Sequence, residues 1–194
     1  IHFDTGRYGE SLVYAPGALK DPVLRRERKN FDAGRLFTPS WILGIVKEAV
    51  QRIARTGFGM IFSGSPRTLF EALGDKGHKG LLAALIRLYG RKNITVLKLS
   101  IREATTLRRN SRRFVCSVCG LPVLAAAKTK QCAFCAGPLR KRSLDNPKII
   151  KVRIKEYRDR TYPILGRAKR LGLKLIQING EPAPYKVHKE IKLS

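Results

Sequence analysis

An α/β fold with a parallel sheet, interrupted once by a small cysteine-bearing module, is what the sequence predicts, and three patterns predict it. Short apolar runs bounded by small or polar residues alternate with stretches in which apolar side chains recur every three or four positions. Buried parallel strands and amphipathic helices produce these two patterns. All four cysteines fall in one place, as Cys116-Ser-Val-Cys119 and Cys132-Ala-Phe-Cys135. Forty lysines and arginines stand against fourteen acids in 194 residues, a formal charge of +26.

Taken in order, residues 1–6 read as the end of a strand entering a turn. Residues 7–37 mix glycine, proline and charge, with a short helix expected around 21–31 and a stop at Asp32-Ala-Gly-Arg-Leu. Thr38-Pro39 starts the next helix, because threonine caps free N–H groups and proline is pre-set for the first helical position. Ile42, Ile45, Val46, Ala49, Val50 and Ile53 then mark its buried face. Residues 57–63, 93–100 and 173–178 are the expected buried strands, with helices at 81–89 and 103–109 between them. Asn146-Pro147 opens a long helix with Ile150, Ile154, Tyr157, Thr161 and Ile164 on one side.

At 43% hydrophobic, the chain can bury a core and is expected to form one domain with an inserted module, as a monomer. The longest apolar run, residues 81–86, is far too short to cross a bilayer, so a soluble, cytoplasmic protein with no membrane partner is expected. The charge predicts attraction to polyanions such as nucleotides, RNA or anionic membrane surfaces. Two matched CxxC pairs with no cysteine left over suit one tetrahedral Zn²⁺ better than a disulfide or a redox pair. Four cysteine ligands leave no open coordination position, so the metal is read as structural. His2, His78 and His188 match no metal or catalytic spacing and are read as surface or packing residues.

Thr5-Gly6 after a strand, Asp32-Ala-Gly-Arg-Leu-Phe37, Gly64-Ser-Pro-Arg-Thr68, Arg109 to Arg113, the paired cysteines, Arg142-Ser-Leu-Asp-Asn146, Arg153 and Ile178-Asn-Gly-Glu181 occur in one order. In that order they resemble the adenylate kinases with a zinc-bearing lid, over nearly the whole chain. The resemblance implies a three-layer P-loop-type nucleoside monophosphate kinase core with a parallel sheet, formed by residues 1–112 and 146–194. The monophosphate-binding segment falls at about 5–56 and the zinc lid at 113–145. It implies phosphoryl transfer from ATP to AMP, giving two ADP with Mg²⁺. Guanidinium forks suit that chemistry, since they bond phosphate oxygens bidentately and stabilise spread negative charge. Carried over by position, Thr5, Phe37, Gly64, Arg67 and Glu71 fall on the AMP side, with Arg67 on its phosphate. Arg109 and Arg113 face ATP, Arg142 and Arg153 close on the phosphates between the nucleotides, and Cys116, Cys119, Cys132 and Cys135 hold the zinc.

The largest departure from that family is an absence: nowhere in these residues is there a G-x-x-x-x-G-K-[ST] loop to hold ATP phosphates. The start at Ile1, at a strand end, leads us to expect a truncated kinase lacking its N-terminal strand, P-loop and first helix. As given it is expected to be inactive or nearly so. A non-catalytic basic zinc-ribbon protein that binds RNA on the same fold is the alternative, with Lys128, Lys130 and residues 139–142 as contacts and Phe114 and Phe134 as the aromatic candidates. Ser63 stands where the family places an acid that helps hold Mg²⁺, and Glu71 stands where a glutamine reads the AMP base, which leaves another monophosphate open. Leu144 replaces the first acid of an Asp-Asp pair, and Glu10 falls where an arginine is expected, with Arg7 nearby.

Overall fold

The computed structural model describes residues 1–142 and 145–191, so the Leu144 departure lies outside the described residues. The chain divides into two compact units: Ile1–Val96 with Tyr157–Ile176, and Leu97–Glu156 with the chain from Gln177 on.

In the first unit, β1 (His2–Asp4) runs parallel to β2 (Ile61–Ser63), with Phe3 opposite Phe62 and Asp4 opposite Ser63. The chain leaves β1 not in a turn but directly in helix α1 (Thr5–Val13). Asp4 causes this: its Oδ1 accepts from the Arg7 amide at 3.0 Å, satisfying one of the free N–H groups of the first turn. Helix α2 (Pro22–Asp32) follows as expected, capped by Asp21, whose Oδ1 accepts from Val23 N at 2.7 Å.

Helix α3 (Pro39–Ala54) begins where Thr38-Pro39 placed it, yet the Thr38 hydroxyl does not cap it. That hydroxyl donates to Glu27 Oε1 at 2.6 Å, and Thr38 N donates to Glu27 Oε2 at 2.8 Å. Glu27 is fully buried and also accepts from Arg26 Nε at 2.9 Å. Burial alone would raise its pKa, but the bonds from Thr38, Arg26 and Asn30 outweigh it and hold the carboxyl below the ordinary range. A lone acid inside Arg-Arg-Glu-Arg-Lys thus ties α2 to the start of α3.

Helices α4 (Leu69–Leu73) and α5 (Leu81–Tyr89) complete this part of the unit. Phe3, Ile42, Leu43, Val46, Val50 and Leu81 pack in one core cluster. Ala72, Leu82, Ile164, Ala168 and Leu173 form a second one.

The two outer strands of the expected sheet are β3 (Thr95–Ser100) and β7 (Lys174–Asn179), which pair with each other. Among the described residues the pairs β1–β2 and β3–β7 remain separate two-stranded sheets. Burial is accordingly one-sided: Ile61 is 69% exposed and Leu99 50%, where fully buried strands were expected. The strand expected at 57–63 shortens to three residues.

Helix α6 (Glu103–Arg112) leads into the cysteine module of the second unit. There β4 (Phe114–Cys116) pairs antiparallel with both β5 (Pro122–Val123) and β6 (Leu139–Arg140). The long helix expected after Asn146 is broken: α7 (Pro147–Glu156), a π-helical turn at Tyr157–Thr161, then α8 (Tyr162–Arg170). Pro163 has no N–H to give the carbonyl four residues back, so the ladder cannot pass through as regular α-helix. Helix α9 (Pro184–Lys189) ends the described chain. Among the described residues no helix is long and apolar enough to cross a membrane.

Candidate functional site

In the first unit, the turn after β2 meets the start of α1. Gly64 has φ +85°, and a Cβ there would lie 3.4 Å from both Gly6 N and Thr5 Cβ. Glycine supplies the left-handed backbone and the close approach together. Thr5 is 2% exposed, and its hydroxyl has no hydrogen-bond partner among the described residues. Arg67 belongs to the same turn, its Nε donating to the Gly64 carbonyl at 2.7 Å. Its own carbonyl accepts from Thr161 Oγ1 at 2.9 Å.

Glu71 is buried at 4% exposure and its carboxylate is spent on this turn. Oε2 accepts from Arg67 N at 2.8 Å and from Ser65 Oγ at 3.3 Å, and Oε1 accepts from Thr68 Oγ1 at 3.0 Å. Thr68 in turn caps α4 by accepting from Glu71 N at 3.1 Å, a reciprocal capping box. Phe37 stacks on Phe31, with ring centroids 5.7 Å apart, and meets Trp41 edge-on at 5.1 Å. Ser63 Oγ lies 3.0 Å from His2 Nε2.

Two arginines of the second unit, Arg109 and Arg113, have their guanidinium groups held by protein groups. Arg109 Nη1 donates to the Gly180 carbonyl at 2.7 Å, and Nη2 donates to the carbonyls of Glu181 and Pro182. Arg113 makes a bidentate ion pair with buried Asp145, Nε to Oδ2 at 2.6 Å and Nη2 to Oδ1 at 2.9 Å. Arg142 is half-buried just beyond β6, and its carbonyl accepts from Asp145 N at 3.0 Å. Arg153 is half-buried on α7. Lys141 binds the last turn of α6 at three carbonyls, Ser111, Arg112 and Arg113, and lies 4.2 Å over the Phe114 ring.

Glu181 supplies the cap that α6 lacks from its own N-cap residue, since Arg102 offers no capping side-chain bond. It accepts from Arg102 N at 2.6 Å, Thr105 Oγ1 at 2.8 Å and Arg102 Nη2 at 3.3 Å. The Arg102 amide above all, then the Thr105 hydroxyl and the Arg102 guanidinium, pull its pKa from 4.5 to about 2. A depressed carboxyl stabilises the fold fully above its ordinary pKa and loses that contribution as pH falls through the folded value. The α6–Glu181 junction is therefore expected to loosen between pH 4.5 and about 2. Carboxyl NMR titration checks this, and a Glu181 midpoint near 4.5 would contradict it.

The four cysteines converge, with all four Sγ atoms within 4.8 Å of one another. Cys116 and Cys135 stand 3.5 Å apart and Cys119 and Cys132 3.6 Å, with no disulfide formed. Four thiolates about 2.3 Å from one metal ion would be about 3.8 Å apart, so the cluster is of a size to hold one. The Cys119 and Val118 amides donate to Cys116 Sγ and bring its thiol down to about 6, and the Cys135 and Phe134 amides lower Cys132. For Cys119 the Leu121 amide acts downward, but burial and the three neighbouring sulfurs outweigh it and push the thiol up to about 12. Amide bonds favour the thiolates, while crowding keeps all four from ionising without a cation.

Asp4, Glu27, Asp145 and Lys141 were not singled out for these contacts from the sequence. Asp4 ahead of Thr-Gly and Glu27 inside a basic run were readable as cap and brace. Lys141 had no signal, because its partners are backbone carbonyls.

The fold class is that of the P-loop nucleoside monophosphate kinases: an α/β core with parallel strands, to which this chain adds a four-cysteine module. Comparison with known proteins narrows the class. The chain is 33% identical over 182 residues to an adenylate kinase of Chlamydia pneumoniae, covering 93% of this chain and 78% of that protein. It is 30% identical over 186 residues to one of Desulfitobacterium hafniense (93% and 79%), and 26% over 196 residues to one of Archaeoglobus fulgidus (96% and 86%). No family model matches the chain. The chain belongs to the adenylate kinase family.

Proposed function

We propose that this chain is part of an adenylate kinase-type phosphotransferase, ATP and AMP to two ADP, and that Thr5, Phe37, Gly64 and Arg67 form the monophosphate side. One observation carries the reading. A buried hydroxyl without a partner, a positive-φ glycine that only a bare backbone allows, and a guanidinium resting on that glycine's carbonyl meet in one turn. Buried polar groups without partners are uncommon and serve ligands well. Arg67 already donates to a neutral carbonyl in this turn, and a phosphate would offer it a charge-assisted bond instead. Glu71 acts there as the brace that fixes the Arg67 backbone.

By the same reading Arg109 and Arg113 serve ATP, Arg109 by holding the loop at 180–182, while Arg142 and Arg153 supply positive charge to the transferred group. Residues 113–145 form the lid, and the four cysteines hold a structural Zn²⁺ that replaces the core so short a module lacks. Mg²⁺ enters with ATP, since the hydroxyl of Ser63 is a weak partner for a hard cation. The expected compartment is the reducing cytoplasm, where the four thiols remain free for metal, and the expected state is a monomer.

Turnover tests the reading. The 194-residue chain alone, lacking a phosphate loop, should form at most traces of ADP. Joined to a strand–loop–helix segment carrying G-x-x-x-x-G-K-[ST], it should form ADP only with both ATP and a monophosphate. No turnover of the extended chain with any monophosphate would overturn the proposal.

A further inference from the structure

We propose that the four-cysteine module carries a second binding surface, for single-stranded RNA, formed by the Lys128–Phe134 stretch and the exposed tips of the two cysteine loops. This goes beyond the phosphotransfer reading and does not depend on it.

Three observations converge within the second unit. First, the third residue of each CxxC points outward: Phe134 is 81% exposed and Val118 70%. Exposed apolar side chains on a module with so little core gain nothing for its own stability, and an outward phenyl ring is a stacking platform for a base. The tips are close neighbours, since a Cβ on Gly137, just past the second loop, would lie 2.8 Å from Val118 Cγ2.

Second, the residues leading into Phe134 are cationic and set in place. Lys128 adopts φ +49°, and Thr129 Oγ1 donates to the Gln131 carbonyl at 2.6 Å while accepting from Gln131 N at 3.3 Å. Lys128 and Lys130 are both exposed beside this small fixed turn. Four to six residues separate them from the ring, a span of less than about 20 Å even if fully extended, and so within a few nucleotides.

Third, no acid stands near them in sequence. Residues 104–142 carry nine lysines and arginines and no acid, and the next acid along, Asp145, is consumed by Arg113. The net negative charge of a four-thiolate zinc centre offsets only two of these. Positive charge without acids, next to an open aromatic ring, fits a strand that offers phosphates and unstacked bases alternately. An acidic peptide would use the charge and leave the ring without a role, and the vesicle arm of the test below separates RNA from an anionic membrane, which could take up the ring.

The test uses the zinc-loaded full chain and a fluorescein-labelled 12-nucleotide single-stranded RNA, read by anisotropy over a salt series. Saturable binding is expected, with Phe134→Ala and Phe134→Leu each weakening it about tenfold, the loss of one stacked base, at unchanged salt slope. Zinc content checks that both variants keep the module. The pair Lys128→Gln/Lys130→Gln should lower the salt slope by about 1.4, while the exposed pair Lys92→Gln/Lys169→Gln in the other unit should not. Three outcomes would overturn the proposal. These are Phe134 variants that bind like the parent, equal slope changes for the two lysine pairs, and phosphatidylserine vesicles or polyglutamate displacing the RNA in proportion to charge alone.

Discussion

Replacing Arg67 with alanine is expected to weaken AMP binding by roughly one to two orders of magnitude, the value of a hydrogen-bonded ion pair to phosphate. Calorimetric titration of the chain with AMP measures it, with the exposed Lys92→Ala as the reference for generalised charge. The side chain is well placed for so large an effect. Its backbone is fixed from both sides, by Glu71 on the amide and Thr161 on the carbonyl, so binding costs little ordering of the main chain. Arg67→Lys should recover only part of the loss, because an ammonium cannot reproduce the planar fork. Equal effects of Arg67→Ala and Lys92→Ala would contradict the role given to Arg67.

Removing metal is expected to produce the second large change, confined to the cysteine module. Its amides are bonded within the module itself, in the β4–β5 and β4–β6 pairs and in the two loops: Gly120 N to Cys116 O at 3.0 Å, Cys132 N to Gly137 O at 2.9 Å, Ala136 N to Cys132 O at 2.8 Å. Apolar packing inside the module amounts to little more than Val115 and Val123 with the cysteines themselves. Binding of a four-thiolate zinc site is on the order of 10 kcal/mol, and most of it is folding energy. Chelation should therefore raise hydrogen exchange at these amides by several orders of magnitude while leaving those of α3 unchanged. Metal analysis of the untreated protein should find about one Zn²⁺ per chain. Protected module amides after complete chelation would show that metal does not hold it.

Much of the fold was legible because its signals are local. Asp21-Pro22, Thr38-Pro39 and Asn146-Pro147 start helices where expected, although the Thr38 hydroxyl caps nothing there, and Leu81–Tyr89 has the expected bounds. The misses have non-local causes. The helix at Thr5 was hidden by reading Thr-Gly as a turn, although Asp4 was available as its cap. Residues 57–60 look like strand but join no ladder among the described residues, the Gly59 carbonyl accepting only from Ile1 N at 2.8 Å, since β1 spans three positions. The break at Tyr157–Thr161 depends on Pro163 six residues after the break begins, within an otherwise regular apolar pattern.

The site was legible in type more than in contact. The convergence of the four cysteines could be read from the sequence, because two CxxC pairs at this spacing can bring four sulfurs together. Arg109 and Arg113 could be named from order but not their partners, for the carbonyls of 180–182 and the carboxylate of Asp145 come from distant chain. Glu71 shows the limit most clearly. Its position invited a base-reading role, and only the folded turn reveals that both oxygens are occupied.

Lys141 has a mechanical consequence. One ammonium gathers the carbonyls of Ser111, Arg112 and Arg113, and the Arg113–Asp145 pair closes the same region from the other side. The two stems of the cysteine module are thus stitched across their base. In the lid motion proposed above, the final turn of α6 is expected to travel with the module as ballast, with pivots before Ser111 and after Asp145, outside the segment that the cysteines alone would mark.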